Sequence, residues 1–334
     1  MGGGRTEIGT PVPFHPVRTY AGGALLAEVV RSGFVEGLHR GSVVVLDASG
    51  AVLAAAGDVT APVFPRSASK PMQTVGMLRA GLRLTASADL ALVSASHAGE
   101  DFHLARVAAL LASAGLDGSA LACPPDLPLD EAARNAVLRA GGGPDRIGMN
   151  CSGKHTGMLL TCLAAGWPTE GYPLPEHPLQ QRIRATVEEF TGEPVAAVGV
   201  DGCGAPVLAV SLTGLARAYL RLVQAEPGTP ERGVADAMRA HPEIVGGTGA
   251  EDSRLMRGLP GTLAKIGAEG IIAAGLPGVG AVAVKIDDGA ARARMPVLVS
   301  ALRRLGQDAP ILHEYAQLPL LGGGVPVGVV RPAW

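Results

Sequence analysis

The sequence predicts an α+β protein with one mixed, mainly antiparallel sheet and a helical insert between the two parts of the chain that form it. Three observations predict this class. Short apolar runs alternate with turn residues from Ala24 to Gly57, as antiparallel strands require. The middle of the chain, from about Ser69 to Gln224, has mainly helical periodicity. Strand patterns return near the C-terminus, where they can pair with the first ones.

The first strands are predicted at 25–30, 42–46 and 51–54, where Leu, Val and Ala cluster. The tetrapeptide Asp47-Ala48-Ser49-Gly50 separates the last two and is typical of a hairpin turn. An antiparallel hairpin therefore opens the fold. A short polar stretch, Arg66-Ser67-Ala68-Ser69-Lys70, then separates these strands from the first helical pattern.

Further helices and strands are predicted where periodic segments lie between Gly and Pro residues. The predicted helices are 71–80, 87–95, 101–114, 130–140, 154–165, 176–190, 214–224, 230–240 and 290–305, and the predicted later strands are 271–274, 279–286 and 325–330. No linker or repeat divides the chain. We therefore expect one unit of two lobes: a sheet lobe at about 20–66 and 207–334 and a mainly helical lobe at about 67–206.

Composition narrows the function classes. A chain of 334 residues is long enough for a sizeable core. Its 28 basic and 30 acidic residues nearly balance, and no basic stripe is present, so nucleic acid is not an expected partner. The N-terminal residues Met1–Arg5 lack the apolar stretch of a signal peptide, and no long apolar run suits a membrane. We expect a soluble, cytoplasmic protein.

Ser67 and Lys70 form a Ser-x-x-Lys pattern at the start of the first predicted helix. At about 3.6 residues per turn, this offset places both side chains on one helix face. A lysine that has lost its proton can then activate the serine as a nucleophile. The alternative is a helix N-cap formed by Ser67 or Ser69, with Lys70 as a solvated charge. The motif alone favours the cap, so its context has to decide.

Ser96 lies in a second polar stretch that begins at Ser94 and ends at His103. Ser94 or Ser96 and the acidic pair Glu100-Asp101 suit the N-terminus of the next helix. A cap does not account for Ser96-His97 close to a glycine, which is more typical of a backbone bend directed at a ligand. Both interpretations stay open on the sequence alone.

Two further stretches contain cysteine. Cys151-Ser152-Gly153-Lys154-His155 crowds a thiol, an amine and an imidazole into five positions, and Asp201-Gly202-Cys203-Gly204 follows an apolar strand-like run. Together the two cysteines can hold a soft ion such as zinc, although a tetrahedral site needs four ligands. Unlinked thiols are the main alternative, and a disulfide is less expected in a chain without an export signal.

Lys265 belongs to a strand-like segment, Leu263-Ala264-Lys265-Ile266-Gly267. An exposed edge-strand lysine is the ordinary interpretation. Beside Ser-x-x-Lys it gains meaning, because serine acyl-transfer enzymes of the penicillin-binding and β-lactamase class combine that motif with Lys-Thr-Gly on a strand edge. Ile266 replaces the threonine here. Lys285 is a competing candidate, although Asp287-Asp288-Gly289 after it is also typical of a simple turn.

Taken together, these motifs resemble the rhizobial-type L-asparaginases of the asparaginase II family over about residues 20–330. The Cys-Ser-Gly-Lys-His run is the most specific part of the match. The resemblance implies a fold like that of serine β-lactamases and penicillin-binding proteins. It also implies hydrolysis of L-asparagine to L-aspartate and ammonia, and a homodimer.

The resemblance also implies roles for individual residues. Ser67 is the expected nucleophile with Lys70 as its base, and Ser96 forms a second serine–lysine pair with Lys265. The expected zinc ligands are Cys151, Lys154 and Cys203 with a water, and the residues expected to shape the substrate pocket are Arg66, His155 and Asp201. The spacing leaves open which serine attacks first.

Two alternatives to asparaginase activity remain on the sequence. A serine glutaminase, or another amide or lactam hydrolase of the same fold, shares Ser-x-x-Lys. A non-catalytic amino-acid-binding protein retains such a pocket without turnover. The chain also departs from the family pattern at Ala250, where arginine is expected, which affects the contacts with substrate at that position.

Overall fold

The computed structural model describes residues 22–334 of the chain. Two predictions concern residues outside this range. One is the absence of a signal peptide, which is inferred from Met1–Arg5, and the other is the start of the sheet lobe at about residue 20. Within 22–334, no helix combines the length and apolarity needed to cross a membrane.

Strands and helices follow each other in an order that places most strands near the two ends of the chain. The strands are β1 (Ala24–Arg31), β2 (Phe34–Asp47), β3 (Val52–Ala56), β4 (Pro62–Val63), β5 (Ala197–Val200), β6 (Pro206–Ser211), β7 (Leu263–Gly267), β8 (Ile271–Leu276), β9 (Gly280–Ile286), β10 (Leu318–Gly322) and β11 (Val325–Pro332). The helices are α1 (Lys70–Arg79), α2 (Ser87–Val93), α3 (Asp101–Ser113), α4 (Glu131–Arg139), α5 (Ser152–Ala165), α6 (Pro178–Thr191), α7 (Leu212–Gln224), α8 (Pro230–Ala240), α9 (Pro242–Val245), α10 (Glu251–Gly258), α11 (Ala291–Arg304) and α12 (Pro310–Tyr315).

The main sheet has eight strands in the order β10-β11-β1-β2-β9-β8-β7, with β3 paired to β2. Every one of these pairings is antiparallel. The N-terminal strand β1 pairs with β11, and β2 pairs with β9, so the two ends of the chain build one sheet. This arrangement confirms the predicted α+β class and its mainly antiparallel sheet. A smaller sheet has the order β4-β6-β5.

The core lies between the main sheet and the helices that pack on it. Residues 43–46 of β2 are all fully buried, so both faces of the strand are covered there. This double coverage explains why the apolar run Val43–Leu46 is continuous and does not alternate with polar residues. Each such side chain contributes about 1.5–3 kcal/mol when it leaves water. Helices α7 and α11 pack against this region of the sheet.

The predicted elements are confirmed in type, with ends displaced by a few residues. The hairpin turn at 47–50 is present, with Asp47 Oδ1 accepting hydrogen bonds from Ser49 N at 2.8 Å and Ala51 N at 3.0 Å. The helix predicted at 71–80 is α1, and the strand predicted at 279–286 is β9. The sequence pattern missed α9, α10, α12, β4, β6 and β10. The division into two lobes stays a prediction.

Candidate active site

Ser67 lies in a single 3-10 turn, Arg66–Ser69, that leads directly into α1. The edge strand β7 runs beside this turn, because a Cβ placed on Gly267 would lie only 2.7 Å from the Pro65 carbonyl oxygen. Arg66 adopts a left-handed backbone with φ of 50°, which a residue with a side chain rarely takes. The Ser67 hydroxyl is half-buried and has no hydrogen-bond partner within residues 22–334.

The N-cap interpretation of this segment is wrong. No side-chain cap bond forms at the start of α1 or of the preceding turn. Ser69 Oγ instead donates to Arg66 O at 2.8 Å and accepts from Gln73 Nε2 at 2.8 Å. Lys70 is 1% exposed, so it is not a solvated charge. The segment therefore presents a partly open hydroxyl next to a buried amine.

The Lys70 side chain joins three distant segments. Its Nζ donates to Ala95 O at 2.5 Å, to Ser96 Oγ at 2.7 Å and to Cys151 Sγ at 3.1 Å. The expected direct hydrogen bond to Ser67 is not made, and the contact partner of Lys70 is the second serine. Burial lowers the pKa of Lys70, negative charge on the cysteines Cys151 and Cys203 opposes this, and the charges of Lys154 and Lys265 lower it further.

Ser96 lies in the irregular segment between α2 and α3 and does not cap the next helix. Its amide donates to Val245 O at 3.0 Å, and the following amide, of His97, donates to Asn150 O at 3.0 Å. At the start of α3, the backbone N–H of Glu100 donates to His103 Nδ1 at 3.1 Å, so Glu100 and His103 form the cap. Ser96 is instead the acceptor of the hydrogen bond from Lys70, and a ligand for this stretch stays a prediction.

The cysteine stretches meet beside these lysines. Lys154 Nζ donates to Cys203 Sγ at 3.2 Å, and Lys70 Nζ donates to Cys151 Sγ at 3.1 Å. Cys151 and Cys203 share a hydrogen bond that holds the pKa of Cys203 well below its usual range and raises that of Cys151, and Lys154 further favours the Cys203 thiolate. All four cysteines of the chain are free thiols, so the disulfide alternative is wrong.

His155 and Lys154 complete this buried cluster. His155 Nδ1 lies 2.7 Å from Tyr172 Oη, and burial lowers the pKa of the ring to about 4. Its Nε2 is buried with no hydrogen-bond partner in the described part of the chain. Burial by itself lowers the pKa of Lys154, but the charges of Cys203 and Cys151 outweigh it, and the net shift is upward.

The residues present fit the predicted zinc ion. Two thiols and one amine converge in a buried place, which matches sites with three protein ligands and a water in the fourth position. The donor set depends on a lysine, because within residues 22–334 no three His, Cys, Asp or Glu side chains group around a possible metal. Lys154 must lose its proton before it can act as a ligand.

Arg66 and Asp201 form a charge pair beside the serine. Arg66 donates from Nε and Nη2 to Asp201 Oδ1, both at 2.8 Å. A tight turn holds Asp201, whose carbonyl accepts from Gly204 N at 2.8 Å. The two side chains are 24% and 15% exposed, in contrast to the buried lysines. They are therefore charged groups within reach of a bound molecule.

Lys265 does not contact Ser96. Its Nζ donates to Asp252 Oδ2 at 3.0 Å and to Ile266 O at 3.2 Å, and both charged side chains are fully buried. Sequence reasoning missed Asp252, which lies thirteen positions earlier on the unpredicted helix α10. The competing candidate Lys285 binds the carbonyl oxygens of Glu269 and Ile286, which is a structural role.

The mainly antiparallel sheet and the helices packed on it make this an α+β protein, with a serine at a helix start and buried lysines beside it. The chain belongs to the L-asparaginase II family, whose model matches residues 27–332. The reaction and the substrate of this chain remain predictions. A homodimer and a cytoplasmic location remain predictions.

Solved structures with a similar fold have low sequence identity to this chain. A crystal structure of Mglu in its native form is 15% identical with a TM-score of 0.42, and the match covers 86% of this chain and 66% of that one. A β-lactamase from Mycobacterium bovis is 16% identical with a TM-score of 0.42, over 82% and 94% of the two chains. This chain thus spans slightly less than two thirds of the Mglu chain. No curated protein sequence matches it.

Proposed function

We propose that this protein hydrolyses the side-chain amide of L-asparagine to L-aspartate and ammonia through a serine nucleophile and a lysine base. Family membership supports the reaction class. The observation that carries the assignment of residues is the buried Lys70 Nζ, which lies 2.7 Å from Ser96 Oγ and one helical turn after Ser67. A buried amine in contact with a hydroxyl is suited to accept its proton.

In this proposal Ser67 is the nucleophile, because its half-buried hydroxyl has no other partner among the described residues. The hydroxyl attacks the amide carbon of asparagine as its proton passes through Ser96 to neutral Lys70. The Lys70 ammonium then protonates the leaving nitrogen, and ammonia departs. Water attacks the resulting aspartyl ester as Lys70 takes its proton, and the bond between the acyl carbon and the Ser67 oxygen then breaks while Lys70 returns the proton to that oxygen, which releases aspartate. Backbone N–H groups at the Ser67 turn stabilise the oxyanion.

Charged groups around the serine give the pocket its affinity for an amino acid. Asparagine carries an ammonium and a carboxylate at its α-carbon. Asp201 offers a carboxylate and Arg66 a guanidinium, and both are partly exposed. A guanidinium binds carboxylates in a two-pronged geometry, which makes Arg66 suited to the α-carboxylate. His155, which is held by Tyr172, shapes the pocket from the cysteine side.

A zinc ion forms part of this proposal. Cys151, Lys154 and Cys203 would hold it, and when bound it would polarise or orient groups of the substrate as a Lewis acid. Without the ion, these three side chains already contact one another or Lys70. Binding of the ion would fix the position of Cys151, whose sulfur accepts a hydrogen bond from Lys70, the proposed base.

Release of ammonia from asparagine tests the proposal, with glutamine as the comparison substrate. Ser67→Ala and Lys70→Ala are expected to lower kcat by about 10²–10⁴-fold, because each removes a group that reacts or transfers a proton. Lys285→Ala is the matched control, since this lysine binds backbone carbonyls only and should leave kcat unchanged. Parental rates in both site variants would refute the assignment. Faster release from glutamine would identify a glutaminase.

A further inference from the structure

The buried ion pair between Asp252 and Lys265 has no part in the proton transfers described above. Both side chains are 0% exposed, and Lys265 Nζ lies 3.0 Å from Asp252 Oδ2. The same carboxylate oxygen accepts from Ile266 N at 3.1 Å, so Asp252 is fixed from two directions. Its other oxygen accepts from Ser253 N at 3.0 Å. Such a pair is costly to bury, and its retention calls for an explanation.

The pair lies next to the turn that carries Ser67. Lys265 is on β7, and Gly267 of the same strand packs against the Pro65 carbonyl. On the other side of the turn, Tyr219 Oη donates to Ala68 O at 2.9 Å. Burial is the larger cause of the raised pKa of Tyr219, and the charge of Asp252 is the second cause. Gly267 and Tyr219 both contact the Ser67 turn. The first is on the same strand as Lys265, and the second is close enough to Asp252 to interact with its charge.

A lysine at this place can act in two ways, and the geometry separates them. As a base it would have to be neutral and in contact with a serine hydroxyl. Lys265 instead forms an ion pair with a fully buried carboxylate at 3.0 Å. The hydroxyl of Ser96 is already paired with Lys70. The contacts of Lys265 are therefore those of a fixed cation.

We infer that Asp252 is a positioning residue that holds Lys265 in a fixed, buried ion pair beside the Ser67 turn, where the lysine charge stabilises the negative charge formed during serine attack. The inference rests on the proposed function. A cation fixed in advance needs no rearrangement during the reaction, which is the condition under which electrostatic stabilisation is strongest. The two buried lysines then have different roles. Lys70 transfers protons, and Lys265 provides a positive charge near the Ser67 turn.

Asp252→Asn distinguishes this inference from the alternative in which Lys265 is a base. Replacing the carboxylate by an amide keeps the shape of the side chain but removes the charged partner that fixes Lys265. If Lys265 supplies charge from this fixed position, kcat for asparagine falls by about tenfold or more with KM little changed. If Lys265 is a base, the same change releases it from the ion pair, and kcat rises at neutral pH. A higher kcat therefore overturns the inference.

The double variant Asp252→Asn/Lys265→Met covers the case in which Asp252→Asn fails to fold, because it leaves no lone buried charge. A purely structural ion pair predicts parental kcat for the double variant once it is folded, whereas a catalytic cation predicts a loss of about tenfold or more. Glu251→Gln, the neighbouring carboxylate that binds Arg294, is the control and should keep parental kcat.

The parent protein in the same assay separates the two proposals. A parent that releases no ammonia from asparagine contradicts the proposed function. An active parent together with an equally active double variant contradicts only the role of the ion pair.

Discussion

Lys70 Nζ lies 2.7 Å from the hydroxyl oxygen of Ser96, a residue 26 positions later in the chain. This contact means that the lysine of the Ser-x-x-Lys pattern pairs with a serine from a distant segment and not with Ser67, which lies three positions before it. It also ties the amine to Cys151 through a third hydrogen bond. Proton transfer and the proposed metal site are therefore connected through one nitrogen atom.

The order of the two serines can be tested by trapping the ester intermediate. Rapid acid quench of the parent with asparagine, followed by intact-mass analysis and peptide mapping, should find the aspartyl group on Ser67. Ser96→Ala should slow acylation by about 10²-fold or more while the label stays on Ser67, because it removes the hydroxyl that is proposed to pass the proton from Ser67 to Lys70. An aspartyl group on Ser96 in the parent would reverse the assignment.

Zinc content should follow the two cysteines near the lysines. Elemental analysis is expected to find zinc in the purified parent and a strong loss of zinc in Cys151→Ser and Cys203→Ser, because serine is a poor ligand for this ion. Cys162→Ser is the matched control, since burial alone raises the pKa of that thiol to about 11 and keeps it protonated. Equal zinc in all three variants would exclude the site.

Arg66→Gly separates the guanidinium from the backbone that carries it. Arg66 has a φ of 50°, which glycine adopts without strain, so the substitution should keep the turn around Ser67 intact. Because it removes the group proposed to bind the α-carboxylate, we expect KM for asparagine to rise by about tenfold or more with a smaller change in kcat. Steady-state kinetics measures both. An unchanged KM would remove Arg66 from substrate binding.

Gly267→Ala should destabilise the protein at the contact between β7 and the serine turn. The new Cβ would lie 2.7 Å from Pro65 O and 3.2 Å from Ile271 Cβ, so the backbone must move, at a cost of about 1–3 kcal/mol. Gly233→Ala in α8 meets nothing within 4 Å and should stabilise by about 0.5–1 kcal/mol. Urea unfolding measures both. Equal effects of the two substitutions would show that the turn is not packed this closely.

Acid should weaken the contribution of the Asp252–Lys265 pair. Burial raises the pKa of Asp252, but the charge of Lys265 and its hydrogen bonds outweigh burial, and the net shift is downward. A carboxyl with a folded-state pKa below its unfolded one stabilises fully above the unfolded value, about 3.9, and loses this contribution as the pH falls through the folded value. The difference in free energy of unfolding between the parent and Asp252→Asn/Lys265→Met should therefore shrink below about pH 4. A constant difference would contradict this.

The sequence was sufficient for the class of fold and for the segments of the site. Ser67 and Lys70 are one turn apart on any helix, and Cys151 and Lys154 likewise, so local spacing places each pair correctly. Apolar periodicity identifies most helices because their buried faces repeat. Strands near both chain ends predict one sheet, since neither group forms a stable sheet alone.

Contacts between residues that are far apart in the sequence could not be predicted from local spacing. Lys70 was expected to contact Ser67, yet its partners come from segments 25, 26 and 81 positions away. Asp252 carries no local signal, because its role depends on a lysine on another element and on complete burial. The short helix α10 has too few residues to show clear periodicity, so its carboxylate looked like an ordinary surface charge.

The pairing of β1 with β11 has a consequence for biosynthesis. Glu28 of β1 binds Arg331 of β11 across 303 positions, so β1, the first strand within residues 22–334, is translated long before its partner. Until β11 is made, β1 and β2 have an open edge, although the Ser67 turn and α1 are already translated. A chaperone that shields strand edges during translation should therefore raise the yield of folded protein.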